Sequence, residues 1–260
     1  MQPLPKEYLS RLLRAVVEFQ LIEEGDKILI GLSGGKDSLF MAYALTEMKR
    51  TLKLDIELKA ITVNPLFNPD FDCTEIKNFC ARLGIEHHLH PVDIAKTVHD
   101  QDDKNACFSC AFFRRGAING YAKETGCNKV AYAHNHDDAV DTFFMNLFYS
   151  GQIKTFLPAT YLSRSDITVI RPILYFREQE MREAIALHGQ QPCAPSCPFN
   201  GNTKRQRAKD LIEELSQENP LLYEHLAAAM RKTAVGDLWP AAKSRKEMKP
   251  YYYNFFKHKK

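Results

Sequence analysis

The stretch KILIGLSGGKDSLFMAYALTEM, residues 27–48, decides how this chain folds. Lys27 to Leu32 is short and apolar, the pattern of a buried strand. Leu39 to Met48 is apolar almost throughout and reads as a helix sunk in a core. Between them stand Ser33, Gly34, Gly35, Lys36, Asp37 and Ser38. A strand that hands over to a helix through a glycine pair is where a parallel α/β sheet opens its ligand crevice. Adjacent glycines let the backbone wrap an anion, and the N–H groups of the following helix start point at it along the helix dipole. Ser33 and Ser38 add hydroxyls, and Lys36 adds a full positive charge. Asp37 does not bind a phosphate directly; beside one, it suits Mg²⁺ or an orienting role.

Upstream, Leu9, Leu12, Leu13, Val16, Val17 and Leu21 recur at helical spacing, which predicts an amphipathic helix over 6–24 stopped by Gly25 and Asp26. Downstream, the pattern predicts strands at 58–63, 86–90, 129–133 and 169–173. Helices are predicted at 74–83, 108–124, 137–149, 178–188, 204–216 and 220–232, with a loop over 92–105 and an irregular segment over 191–201. Alternating strands and helices predict a parallel sheet wrapped by helices. The expected layout is an N-terminal helix over 1–24, a nucleotide-binding domain over 25–190, and a cysteine loop with a basic helical extension over 191–260.

Composition agrees with a folded core: of 260 residues, 45% are apolar and 26% charged, which excludes global disorder. No run approaches the roughly 18 apolar residues of a membrane span. Lys6, Glu7, Arg11, Arg14 and Glu18 interrupt the first helix, as no secretory signal would allow. The expectation is a soluble, cytoplasmic protein with no membrane partner. Charge is uneven. Residues 1–200 hold 22 basic against 25 acidic side chains, while 201–260 hold 13 against 7, so the basic final quarter suits a polyanion.

Seven cysteines without a signal point away from disulfides and towards metal or sulfur chemistry. Cys107 and Cys110 stand one helical turn apart, a spacing that clamps one soft metal ion or a cluster edge. Cys193 and Cys197 offer two more thiols, but the long gap from Cys110 is unlike a compact zinc finger. On spacing alone, zinc and iron–sulfur stand level. Cys73, Cys80 and Cys127 fall within helix or turn patterns and read as small core residues.

The six residues 33–38 match SGGxDS, the PP-loop motif of the ATP pyrophosphatase superfamily, rather than the Walker A spacing. Further blocks follow in order: CFSCAFFRRGAING (107–120), AYAHNHDDAVDTFFMNLFYSG (131–151), IRPILYFREQEM (170–181) and CPFNGNTKRQRAKDLI (197–212). Together they resemble the tRNA 2-thiocytidine synthetase family (TtcA). The resemblance implies an α/β fold, a parallel-sheet PP-loop domain of the adenine nucleotide alpha hydrolase-like, Rossmann type with a helical C-terminal extension. It implies ATP and Mg²⁺ as means of activating the C2 oxygen of a cytidine in the tRNA anticodon loop, which sulfur then replaces. It also implies a [4Fe–4S] cluster on three cysteines, which fall here on Cys107, Cys110 and Cys197. Cys193 departs from the family spacing. A cysteine desulfurase system or free sulfide would donate the sulfur, and the family often forms homodimers.

The chemistry demands such parts independently. A carbonyl oxygen is a very poor leaving group until adenylation turns it into AMP. Sulfur must then arrive without diffusing away, and a cluster with three protein ligands leaves one iron open for it. His134, Asn135, His136, Asp137 and Asp138 follow a strand and so share the sheet edge with residues 33–38. Where the family has Gly and Glu, this chain has Ala133 and Asp141. Asp138 is the preferred carboxylate beside the phosphates, with Asp137 behind it; helix capping is the alternative for both. Arg114, Arg115 and, more weakly, Arg171 are candidates to neutralise phosphate. Lys204, Arg205, Arg207 and Lys209 suit an RNA backbone. The terminal run from Tyr251 to Lys260 mixes aromatic and basic groups, and the favoured reading folds its aromatics back onto the domain. Two other readings remain: a thiolase of uridine or of a non-tRNA carbonyl, and a non-catalytic nucleotide-binding protein with structural zinc.

Overall fold

The computed structural model describes residues 3–94, 106–186, 204–231 and 244–257. The chain begins with α1 (Lys6–Glu18), then β1 (Lys27–Gly31), α2 (Lys36–Leu52), β2 (Glu57–Asn64), α3 (Thr74–Leu83) and β3 (Glu86–Pro91). It continues through α4 (Ala106–Glu124), β4 (Lys129–Ala131), α5 (His136–Ser150), β5 (Ala159–Leu162), β6 (Ile167–Ile170) and α6 (Glu178–Ala186). Helices α7 (Lys204–Glu218), α8 (Leu222–Ala229) and α9 (Arg245–Lys257) follow.

Six strands form one sheet in the order β3-β2-β1-β4-β6-β5. All neighbours are parallel except β5 and β6. The strand β1 lies between β2 and β4, so the chain leaves it in one direction and returns on its other side. That reversal opens a crevice at the carboxyl ends of β1 and β4.

The strand pleat sorts the core. Ile28 and Ile30 face one layer with Phe40, Tyr43 and Leu45 of α2, Leu12 of α1 and Met181 of α6, while Leu29 faces the other with Ile118 and Ala122 of α4. Helix α2 is buried almost all round, which explains its unbroken apolar sequence. None of the described helices is long and apolar enough to cross a membrane.

Several boundaries differ from the sequence expectation. Helix α1 stops at Glu18, because Gln20 takes a left-handed conformation (φ 52°). The N–H groups of Phe19 and Leu21 then close on Ala15 O and Val16 O, turning Leu21 fully into the core and leaving Val17 exposed. The strand expected at 169–173 is seen over 167–170, since Pro172 offers no N–H to extend the ladder. The hairpin partner β5 was not anticipated. Its four residues, Ala-Thr-Tyr-Leu, are too short to show a period, but the turn closes on Asp166 (φ 53°), whose carboxylate accepts from Tyr161 OH at 2.8 Å. Helix α9 was also unanticipated. Its Tyr251 and Tyr253 are exposed, against the expectation that the terminal aromatics fold back, while the side chains of Tyr252, Phe255 and Phe256 lie outside the described residues.

Candidate active site

A cavity of about 720 Å³ opens at the carboxyl ends of β1, β2 and β4. One wall is the turn expected from the sequence. Gly34 holds a positive φ of 79°, which glycine adopts without strain, and Gly35 precedes the first turn of α2. Ser38 Oγ donates to Gly35 O at 2.9 Å and accepts from Ser33 N at 3.2 Å, so the hydroxyls brace the turn from within. Ser33, Gly35, Asp37 and Ser38 line the cavity.

Lys36 Nζ lies 3.3 Å from Asp37 Oδ2 and 3.0 Å from Glu178 Oε1. The other carboxylate oxygen, Asp37 Oδ1, is buried without a hydrogen-bond partner. Burial raises the Asp37 carboxyl to about 6 despite Lys36, with the nearby charges of Asp138 and Glu178 adding to the rise. A cation brought to this oxygen would reverse that penalty. The residue therefore fits Mg²⁺.

The His-Asn-His-Asp-Asp stretch does lie at the same edge, and its residues divide the work. Asn135 and Asp138 form a reciprocal cap at the start of α5: Asp138 N donates to Asn135 Oδ1 at 2.9 Å, and Asn135 N donates to Asp138 Oδ2 at 3.1 Å. Asp138 Oδ1 accepts from Arg205 at 3.1 Å. Asp138 thus caps the helix and anchors α7. Asp137 takes both its oxygens to Arg177 Nε at 3.1 Å and accepts from the Glu178 backbone N–H at 2.8 Å, fixing the start of α6. Asp141 is buried, and burial pushes its carboxyl up to about 7 against the pull of Lys209 and Arg205. His134 is driven down to about 4, chiefly by burial, so it stays neutral at physiological pH.

Across the cavity stand Cys110, Arg114 and Arg115 of α4, with Arg205 of α7 and Arg171 after β6. The sequence-derived phosphate loop and one sequence-derived thiol therefore share a single chamber. Cys110 is a soft donor suited to an iron–sulfur cluster, and its place on this wall fits one. Cys193 and Cys197 lie outside the described residues, as does the side chain of Cys107. Among the described residues, no group of three His, Cys, Asp or Glu could hold a metal ion. Cys80 and Cys127 are core residues as expected, and Cys73 packs at the core's edge.

Sequence reasoning missed the most connected side chain of the site. Glu178 meets Lys36 at 3.0 Å, Arg182 at 3.2 Å and Lys209 at 2.8 Å. Burial works against its charge, but hydrogen bonds from Lys209 and Lys36 prevail and hold its carboxyl at about 2. The only hint in the sequence was the charged run after Phe176 within an otherwise apolar block. Tyr132, Thr142 and Phe156 also line the cavity unforeseen, with Tyr132 OH and Thr142 Oγ1 buried and unpaired.

A nucleotide-scale chamber at the switch point of a parallel sheet, with a Gly-Gly-Lys turn on its rim, defines an α/β protein of PP-loop type. The family described as PP-loop domain matches residues 6–198. Proteins named tRNA-cytidine(32) 2-sulfurtransferase from Alcanivorax borkumensis and Geobacter sulfurreducens are each 33% identical to it. The matches cover 86% of this chain and 80% of the former, and 84% of this chain and 86% of the latter. The chain belongs to this family of PP-loop proteins. Its fold is also that of the U34-tRNA thiolase NcsA from Methanococcus maripaludis, solved with its [4Fe-4S] cluster. The two share a TM-score of 0.71 and 23% identity over 91% of this chain and 80% of that one.

Proposed function

We propose that this protein is an ATP-dependent tRNA sulfurtransferase that adenylates the C2 oxygen of a cytidine in the anticodon loop and replaces it with sulfur. The observation that carries this reading is that the phosphate loop and Cys110 line one cavity. A nucleobase placed there reaches both activating group and thiol without leaving the chamber. The relatives' shared name supplies the base.

In this reading Ser33, Gly34, Gly35, Lys36 and Ser38 hold the pyrophosphate end of ATP, through backbone N–H groups, hydroxyls and one ammonium. Asp37, assisted by Asp138, holds Mg²⁺ against the phosphates. Arg114 and Arg115 offset the charge that develops as the cytidine oxygen attacks the α-phosphorus and pyrophosphate departs. The same oxygen then leaves with AMP when sulfur takes its place at C2. Cys107, Cys110 and Cys197 would hold a [4Fe–4S] cluster, which supplies an open iron position for sulfur. Its source is free sulfide, or a cysteine desulfurase persulfide reduced to sulfide by two thiols that leave as a disulfide; the compartment is the cytoplasm, and the working unit is a homodimer.

Mass spectrometry of tRNA nucleosides from a deletion strain tests the substrate: 2-thiocytidine disappears and returns on complementation. Loss of a thiolated uridine with 2-thiocytidine intact would transfer the activity to the other base. Anaerobic purification tests the cluster, since a brown protein supports it and a colourless one containing zinc refutes it. Cys110→Ala takes thiolation to background while ATP affinity stays within about twofold, because the thiol and the phosphate loop are separate parts.

A further inference from the structure

Glu178 ties together three elements far apart in sequence. Its backbone N–H is pinned by Asp137 of α5 at 2.8 Å, which fixes where its side chain starts. One oxygen, Oε1, takes Lys36 of the phosphate loop at 3.0 Å and Arg182 at 3.2 Å. The other, Oε2, takes Lys209 of α7 at 2.8 Å. Helix α7 also carries Arg205, which lines the cavity and binds Asp138. One carboxylate thus stands between the lysine of the phosphate loop and the helix α7.

A phosphate arriving at the loop competes with Glu178 for Lys36, and both are anions. As Lys36 turns to the phosphate, the whole negative charge of Glu178 is left to Lys209 on Oε2 and Arg182 on Oε1. We propose that Glu178 is a positioning residue that couples nucleotide occupancy of the phosphate loop to the seating of α7, releasing Lys36 to the phosphates and tightening on Lys209. The proposal rests on the ATP-binding reading above. It makes ordered action a property of the charge network: the cavity wall bearing Arg205 firms only after ATP is held.

The arrangement predicts a signature that damage to the fold would not give. Glu178→Gln removes the competitor for Lys36 and one negative charge near the phosphates, so ATP binds roughly three- to fivefold tighter. Thiolation turnover falls at the same time, because α7 loses its anchor. Simple loss of structure would weaken binding and turnover together. Lys209→Gln cuts only the second arm: α7 loosens, and because Glu178 then holds Lys36 more firmly, ATP binds more weakly, the opposite direction to Glu178→Gln.

The experiment measures ATP affinity by calorimetry and amide hydrogen exchange of residues 204–218, on the full chain with and without ATP. In the native chain ATP slows exchange in this helix; in Glu178→Gln it binds tighter but no longer does so. Weaker ATP binding by Glu178→Gln, or an unchanged response of α7 to ATP, overturns the coupling while leaving the ATP-dependent reading intact. A native chain that binds no ATP at all would overturn both.

Discussion

The two walls of the cavity are built on different principles. The β1–α2 wall is made of backbone: Ile28, Leu29 and Ile30 are fully buried, α2 is sunk behind them, and the phosphate loop is held by short-range bonds among residues 33–38. The α6–α7 side is held by charged side chains, Glu178, Lys209, Arg205 and Arg177, drawn from elements far apart in sequence, and of these Arg205 lines the cavity. A backbone cradle is rigid because moving it disrupts the core. A charge latch can exchange partners at little cost, because its bonds are partly exposed and equivalent alternatives lie nearby. In the function and coupling proposed above, the fixed wall recognises the phosphate and the adjustable one responds to it.

The largest effect should come from the fixed wall. Phe40 is fully buried and packs edge-on to Tyr8 and Phe176, with ring centroids 6.0 and 5.0 Å apart. Phe40→Ala is expected to cost about 3–5 kcal/mol in urea unfolding. A loss below about 1 kcal/mol would mean that this wall is no stiffer than the other. Lys36→Ala should come next, weakening ATP roughly 10- to 100-fold, as expected for a lost charge-assisted contact, with a much smaller loss of stability because Glu178 keeps Lys209.

The pH response of the latch is smaller and has a definite sign. Glu178 titrates near 2 in the folded chain against 4.5 as its ordinary value. Its contribution to stability is complete above about pH 4.5 and is lost as pH falls towards 2. Acid unfolding of Glu178→Gln should be flatter across that interval than in the native chain. Identical profiles would show that the latch carries no folded-state preference for the carboxylate.

This contrast also explains which parts of the molecule were legible in sequence. The phosphate loop could be read because its chemistry is contiguous: glycine, lysine and hydroxyls within six residues, flanked by elements with clear periods. The position of the His134–Asp138 stretch followed from the strand before it. Glu178 and Lys209 could not be read, because an ion pair across 31 residues leaves no mark on local pattern. Asp138 was singled out for phosphate chemistry, yet the same residue also caps α5 and receives Arg205. The β5 hairpin escaped notice because its stability lies in pairing with β6 rather than in an apolar alternation of its own.

The burial of Cys80 has a practical consequence for anyone following thiols in this protein. Its sulfhydryl is enclosed by the core and raised to about 12 by that enclosure, so at neutral pH it carries almost no thiolate. Alkylating reagents and dissolved oxygen pass it by while the chain stays folded. Any modification of this position is accordingly a report that the molecule has opened, an internal clock for unfolding that runs independently of Cys110 at the cavity.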